Sequence, residues 1–293
     1  MSLSKSSVGL IAASAAALLW AISGVCGKVL MTGSLSPARL VFYRSTLGTL
    51  LLLPILLWHD PSLLKLPLRR LPFFLVMGTA GLALTQFTYY SAIQSLSVGL
   101  AILLQYLAPL WIVLFERLFS RIPITPVKAA SLILALAGCG MVSAGMAGNF
   151  RWGTGGVLLG IAAGVSFAAY GLMTKHALKS HRELTVLFYS LLVSAVFWAL
   201  FGPDPWQPLL EIGALKYWMI GYVAAFGTVA PFLLFTYALR HLQASHVSIT
   251  STLEPVIAAF IAWVFLDETL TGLQLAGGGC VLLAIYLLQR PEA

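Results

Sequence analysis

The sequence predicts an all-α integral membrane protein, with ten transmembrane helices arranged as two inverted five-helix repeats. Three observations support this fold class. Of the 293 residues, 60% are hydrophobic and only 9% are charged, whereas soluble domains carry roughly 25% charged residues. Apolar runs of about 20 residues, long enough to cross about 30 Å of hydrocarbon, recur along the chain. The third observation is a similarity between the two halves of the chain.

Apolar segments, separated by charged residues, prolines and glycines, account for nearly the whole chain. The ten predicted spans cover about residues 8–30, 37–58, 71–94, 97–119, 125–146, 153–177, 183–201, 215–239, 244–266 and 270–289. The first span follows Lys5 and contains several alanines, as a signal peptide would. Its length, and a second copy later in the chain, favour a retained spanning helix.

The second copy comes from an internal duplication. A nearly constant offset aligns Gly9 with Gly156, Gly81 with Gly227, and further positions in five successive spans. The predicted repeats are residues 1–148 and 149–293. Because each contains five spans, an odd number, the second repeat enters the membrane from the opposite side, so the repeats are predicted to be inverted.

The formal net charge of +8 comes from basic residues in short loops between apolar spans. It therefore indicates orientation in a lipid bilayer, and no binding to nucleic acid is predicted. Most of the 17 Lys and Arg residues lie on the side of the N-terminus. By the positive-inside bias, both termini are predicted to be cytoplasmic.

Two prolines fall near the middle of their spans and at equivalent positions in the repeats, Pro109 and Pro255. Each lacks the N–H that would bond the carbonyl four residues earlier, at Gln105 and Ser251. Paired interruptions near the bilayer midplane point to a transport site, so both prolines are predicted to act in conformational change. The alternative is a pair of packing kinks, since proline is common in membrane helices.

Polar side chains also interrupt the apolar background near the middle of several spans. Those predicted to bind substrate are Gln86, Tyr89, Tyr90, Gln105, Tyr106, Ser251 and Thr252. At this depth they are expected to face the interior of the bundle. The alternative is that they form hydrogen bonds between helices, worth about 0.6 kcal/mol each, and contact no ligand.

Two charged residues belong to the same predicted site. Glu254 is the only carboxylate near mid-span, where a charge costs about 2.5 to 3.5 kcal/mol. It is a candidate for a proton site, for a substrate cation or for a structural ion pair. Arg44 lies deeper in its span than a residue at a helix end, and is predicted to attract an anionic group such as a substrate carboxylate.

Two other charged residues are interpreted as structural. Glu116 lies close to Arg117 and Arg121 in sequence, which indicates a local ion pair at the surface. Lys175 lies near the end of its span, where long basic side chains usually extend to the membrane interface.

Aromatic residues in the first and sixth spans lie away from the membrane interfaces. Trp20, Phe167 and Tyr170 are predicted to contact substrate, and the alternative is that they fill the core. No catalytic motif is present, and the five histidines and three cysteines show no metal-ligand spacing. The sequence therefore predicts no enzyme activity, no catalytic residue, no metal site and no cofactor.

Three segments carry a resemblance to a known family. These are LLWAISGVCGK from Leu18, FYRSTLG from Phe42, and above all LEPVIAAFIAWVFLDETLTGLQLAGG from Leu253. They resemble the EamA family of the drug/metabolite transporter superfamily. The resemblance implies ten helices with cytoplasmic termini in the bacterial inner membrane, export of amino acids or related metabolites, and a cavity lined by spans one to four and six to nine.

The first half departs from this pattern in one place. Arg121 and Ile122 stand where the second half has Asp267 and Glu268. Any role of the acidic pair is therefore expected in the second repeat alone, and the alternative is that the pair caps a loop.

Together these features predict a secondary transporter that exports a small amphipathic metabolite, in first place an amino acid, by alternating access. A proton is a candidate coupling ion, and the protein is expected to be a monomer or a homodimer. The alternatives within transport are metabolite uptake and multidrug extrusion. From another class, the alternative is an integral-membrane enzyme or scaffold.

Overall fold

The computed structural model describes residues 4–31, 35–96, 98–146, 153–202, 214–265 and 270–289. Within these ranges all regular structure is helical. Among the described residues, nine helices are long and apolar enough to span a membrane, and a shorter apolar helix, Gly272–Leu288, follows them. The predicted all-α membrane fold with ten spans is confirmed, while the proposed boundary between repeats at residue 148 lies outside the described residues.

Each predicted span corresponds to an observed element. The uninterrupted helices are α1 Lys5–Met31, α2 Pro37–His59, α5 Pro126–Met146, α6 Thr154–Ala177, α7 Glu183–Phe201 and α10 Gly272–Leu288. The remaining spans contain irregular turns. They are α3 Leu68–Ser95, α4 in the two parts Val98–Gln105 and Ala108–Leu118, α8 from Ala214–Ala224 to Ala230–His241, and α9 in the parts Ala244–Ser251 and Leu253–Phe265.

The helix starts are fixed by local sequence. The Ser36 hydroxyl accepts a hydrogen bond from the Arg39 N–H at the start of α2, and Pro37 follows it at the first helical position, where a missing N–H is harmless. At the start of α10, Thr271 and Gln274 form a reciprocal capping box. Side chains thus satisfy donors that would otherwise be unpaired at these helix ends.

Two turns of π-helix were not predicted. They cover Met77–Ala83 in α3 and Ala225–Val229 in α8. These turns lie at aligned positions in the proposed repeats, since Gly81 corresponds to Gly227. Single π turns within α-helices frequently occur at functional sites, because they redirect backbone groups.

The contacts between helices correspond in the two halves of the chain. Helix α1 packs on α8 as α3 packs on α6, and α9 packs on α1 as α4 packs on α6. Helices α2 and α7 pair with each other, as do α5 and α10. Each of these contacts is matched by one between the helices five places along the chain, which is the pattern expected from the proposed duplication. The inverted repeat itself stays a prediction.

Candidate substrate-binding site

A partly enclosed cavity lies between α1, α2, α3, α4, α6, α8 and α9, and the empty space within it and at its mouth together is about 470 Å³. The residues that line it are Trp20, Ser23, Gly24, Arg44, Thr85, Gln86, Tyr89, Tyr90, Gln105, Phe167, Phe232 and Glu254. Most of the predicted substrate-binding residues are among them. Ser23, Gly24, Thr85 and Phe232 were not predicted.

Arg44 is buried at the cavity wall, with 4% of its surface exposed. Its Nε donates to Thr228 Oγ1 at 2.8 Å, its Nη1 donates to the Tyr90 hydroxyl at 2.6 Å, and its Nη2 donates to the Gly227 carbonyl at 2.6 Å. The guanidinium carbon also lies 5.4 Å from the centre of the Tyr90 ring. These neutral partners keep a buried cation solvated and fix its position.

Helix α8 provides two of these acceptors, a backbone carbonyl and a threonine hydroxyl, at a point where its backbone is irregular. Pro231 has no N–H to donate to the carbonyl four residues earlier, which is that of Gly227. The π turn then places Thr228 so that its hydroxyl donates to the Val223 carbonyl at 2.8 Å while accepting from Arg44. The same reasoning that singled out Pro109 and Pro255 could have found this site.

Glu254 is also buried at the cavity, with 5% exposed. It lies in the first turn of the second part of α9, and the N-terminal end of a helix favours negative charge. The Tyr106 hydroxyl donates to its Oε2 at 2.6 Å. The break in α9 therefore creates a helix start at mid-span and makes a carboxylate tolerable there.

Arg44 and Glu254 face the same cavity without forming an ion pair. In the described parts of the chain, only Glu116 with Lys128 and Glu183 with Arg240 come within 4.0 Å as ion pairs. Each charge of the cavity is thus held by uncharged neighbours.

The interruption in α4 is covered by α6. A Cβ added at Gly164 would lie 2.9 Å from the Leu104 carbonyl oxygen and 3.1 Å from that of Gln105. The Leu104 carbonyl accepts only the long hydrogen bond from Leu107 N–H, at 3.3 Å, outside the regular helix. Glycine thus allows the two backbones to meet where Pro109 breaks the ladder.

Aromatic side chains form one side of the cavity. Trp20 packs edge-on against Phe232, with 5.1 Å between ring centres, and against Phe167, at 5.8 Å. Tyr170 does not line the cavity: it is fully buried one turn further along α6, 5.7 Å from Phe232 and 6.4 Å from Phe235. We call Trp20, Phe167, Tyr170, Phe232 and Phe235 the aromatic layer.

Three other predicted residues lie beside the cavity. The Ser251 hydroxyl donates to the Val247 carbonyl at 3.0 Å, and the Thr252 hydroxyl donates to the Ile249 carbonyl at 2.7 Å. Their side chains complete the backbone bonding at the break in α9, and neither lines the cavity. Tyr106 reaches the site indirectly, through its hydrogen bond to Glu254.

Several polar groups of the cavity have no hydrogen-bond partner within the described structure. They are the Ser23 hydroxyl, the side-chain Nε2 and Oε1 of Gln86, the Tyr89 hydroxyl and the side-chain Oε1 of Gln105. Buried polar groups are nearly always hydrogen-bonded in folded proteins. These groups leave donors and acceptors at the cavity wall free for a bound molecule.

The interpretation of Glu116 as a surface residue is wrong. Glu116 is buried, its Oε2 lies 3.6 Å from Lys128 Nζ, and its Oε1 accepts from the Ser245 N–H at 3.2 Å. Lys128 also donates to Gln243 Oε1 at 2.7 Å. The loop between α8 and α9 folds over the end of α4 and buries the carboxylate. We call Glu116, Lys128, Gln243 and Ser245 the polar clamp.

Lys175 is likewise held within the protein. Its Nζ donates to the carbonyls of Leu239 and Leu242 at 2.6 and 2.8 Å. A cation at the end of α8 satisfies carbonyls that have no partner in the helix. The side chain is half-buried at the end of its span and caps α8, and its extension to the membrane interface stays a prediction.

A bundle of apolar helices around a charged and partly unpaired cavity is the architecture of a membrane transporter. Residues 7–144 and 154–290 match the EamA-like transporter family, and the chain belongs to this family. The two matches fall on either side of the proposed repeat boundary.

Among its relatives, the threonine/homoserine exporter RhtA of Escherichia coli K12 is 29% identical over 91% of this chain and 88% of its own. The pseudopaline exporter CntI of Pseudomonas aeruginosa is 27% identical over 89% of both chains. An uncharacterized transporter of Archaeoglobus fulgidus is 31% identical over 71% of this chain and 73% of its own. A crystal structure with 21% sequence identity covers 97% of this chain and 96% of that chain with a TM-score of 0.81, which shows the fold.

Proposed function

We propose that the chain exports a small amphipathic metabolite, in first place an amino acid, across the bacterial inner membrane by alternating access. The observation that carries the proposal is one cavity that combines a buried cation, a buried anion, an aromatic wall and unpartnered polar groups. An apolar solute would leave those groups unsatisfied, at about 1 to 3 kcal/mol each. A small solute that is both charged and partly apolar matches all of them.

The relatives support export over uptake. Two of the most similar proteins are named for the compounds that they export, threonine and homoserine in one case and pseudopaline in the other. Threonine and homoserine are amino acids, and this supports placing amino acids first among the candidate substrates.

Alternating access is supported by how the cavity is closed at the end of the bundle where α1 begins. The aromatic layer extends from the cavity wall along α6 and α8 towards this end of the bundle. Beyond the layer lies Lys175, bonded to the carboxyl end of α8. The polar clamp lies at the same end, because α9 begins there at Ala244. Opening a route at this end requires the aromatic layer and the clamp to separate, and the interrupted helices α4 and α9 provide the bending points.

Transport by purified protein in liposomes tests the proposal. Liposomes loaded with one unlabelled compound are assayed for counterflow of the same labelled compound, using the twenty L-amino acids, sugars, nucleosides and a hydrophobic cation. We expect counterflow of at least one amino acid, absent from protein-free liposomes. Counterflow of the hydrophobic cation alone would favour multidrug extrusion, and no flux of any compound would favour a scaffold or an enzyme.

Proton coupling is a separate part of the proposal. Glu254 is the cavity's carboxylate, so it is the candidate carrier of the proton. An imposed pH gradient should then drive amino-acid accumulation in liposomes that contain the wild-type protein. Equal accumulation with and without the gradient would exclude proton coupling and favour facilitated diffusion.

A further inference from the structure

We infer that the cavity recognises an amino acid at both of its charged ends, with Arg44 binding the carboxylate and Glu254 binding the ammonium group. This inference rests on the proposed function and narrows its substrate class to molecules that carry both charges free. It follows from the unused bonding capacity of the two residues and from the absence of an ion pair between them.

Arg44 retains the donors that a carboxylate needs. A guanidinium group has five N–H bonds, and three are used, one on each nitrogen. One N–H therefore remains on Nη1 and one on Nη2. Two parallel hydrogen bonds from these nitrogens are the usual way in which arginine binds a carboxylate.

Glu254 retains an acceptor. Its Oε2 accepts from Tyr106, and no described residue donates to Oε1. An ammonium group has three donors and needs several acceptors when it is buried. Oε1 of Glu254 provides the charged acceptor. The side-chain Oε1 of Gln105 and the Tyr89 hydroxyl, both unpartnered in the same cavity, provide further acceptors.

The charge balance of the cavity selects a zwitterion. Arg44 and Glu254 are both buried, both line the cavity and do not pair with each other. A bound monoanion would compensate Arg44 and leave Glu254 without a counter-charge, and a monocation would do the opposite. Because an uncompensated buried charge is strongly unfavourable, only a molecule with both charges satisfies the site.

The first test uses wild-type protein and therefore does not depend on the folding of a variant. L-Threonine is the first labelled probe, followed by the fastest amino acid of the counterflow screen, and each is competed by its own unlabelled form, its methyl ester and its N-acetyl derivative. The ester lacks the carboxylate and the N-acetyl form lacks the ammonium group. We expect both derivatives to compete about tenfold to a hundredfold more weakly, the effect of losing a charged hydrogen bond.

The outcomes separate the inference from the proposed function. If an amino acid flows but either derivative competes within about twofold of it, two-ended recognition is wrong and amino-acid export stands. If no amino acid flows, both are wrong.

Variants then assign each end to its residue. Glu254→Gln removes the charge with little change in shape, so the N-acetyl derivative should now compete as well as the free amino acid, while the ester stays weak. Arg44→Gln should give the reverse pattern. Where that variant fails to fold, Arg44→Lys keeps the charge without the two-pronged geometry, and should weaken the amino acid about tenfold while preserving discrimination against the N-acetyl form.

Glu183→Gln is the matched control, because Glu183 lies outside the cavity and pairs with Arg240. In this variant the methyl ester and the N-acetyl derivative should both compete as weakly, relative to the free amino acid, as they do in the wild type. Equal loss of both discriminations in Glu254→Gln would show that the residue only maintains the cavity's shape, and would overturn the assignment.

Discussion

At the scale of single residues, the two buried charges are tolerated because the backbone near each is irregular. Arg44 uses a carbonyl and a hydroxyl presented by the π turn of α8. Glu254 uses the start of a helix that exists only because α9 is interrupted. A regular helix would leave neither group so well placed, since its own ladder uses the backbone groups.

Thr228→Val tests the support of Arg44. Valine has nearly the shape of threonine but cannot accept from Arg44 Nε, so a buried charged donor loses its partner. We expect the free energy of unfolding to fall by about 1 to 3 kcal/mol. We also expect the amino-acid concentration that gives half-maximal counterflow to rise. Thermal unfolding in detergent and the liposome assay measure the two effects.

Thr46→Val is the control, because the buried Thr46 hydroxyl on α2 has no hydrogen-bond partner in the described structure. It should be neutral or slightly stabilising. Equal behaviour of the two variants would show that the Thr228 hydroxyl does not hold Arg44.

The sequence predicted most of the cavity's residues because charged, amide and phenolic side chains stand out in an apolar span. Ser23, Gly24 and Thr85 were missed because small residues are ordinary in membrane helices. Ser251 and Thr252 were grouped with the site by sequence position alone. A hydroxyl in a helix can bond the carbonyl a turn earlier, and both of them do so.

At the scale of elements, the positions of the helices were predictable and their irregularities only partly so. Hydropathy located every span, and Pro109 and Pro255 marked the breaks in α4 and α9. The π turn Met77–Ala83 has no such signal, because it contains no proline and its small residues also suit a regular helix. The turn packs against α6 and α7, which are distant in sequence.

The prolines themselves make the first prediction at this scale. Pro109→Ala and Pro255→Ala each restore a backbone N–H, which allows the ladder to re-form across the break and stiffens the helix. We expect folded protein with impaired counterflow. Normal transport rates in both variants would mean that the two prolines serve packing alone.

Gly164→Ala tests the contact that covers the break in α4. The added Cβ would meet two backbone oxygens at 2.9 and 3.1 Å, and backbone cannot move aside as a flexible side chain can. We expect a lower unfolding temperature and slower counterflow, because α6 is forced away from α4.

Gly155→Ala, on the same helix, is its control. A Cβ at Gly155 has no neighbour within 4 Å. Alanine also stabilises a helix by about 1 kcal/mol relative to glycine. This variant should be as stable as the wild type or more so. If Gly164→Ala behaves in the same way, the close approach of α6 to the break is not required.

At the scale of the whole molecule, two sets of buried charged and polar groups lie at different depths. The cavity holds Arg44, Glu254 and several unpartnered groups, and the polar clamp, with Glu116 and Lys128, lies at the end of the bundle where α1 begins. The clamp was not predicted, because Glu116 and Lys128 lie on different helices and only the fold brings them together.

The last prediction concerns how the bundle is inserted in the membrane. Ten spans place both termini on one side, and the excess of Lys and Arg on that side predicts that it is the cytoplasm. Fluorescent protein fused to the C-terminus should therefore fold and fluoresce, while alkaline phosphatase at the same position should be inactive. Alkaline phosphatase inserted between α5 and α6 should be active, because five spans are an odd number and end outside. A C-terminal phosphatase that is active would contradict the predicted orientation and, with ten spans, would place the polar clamp at the periplasmic end of the route.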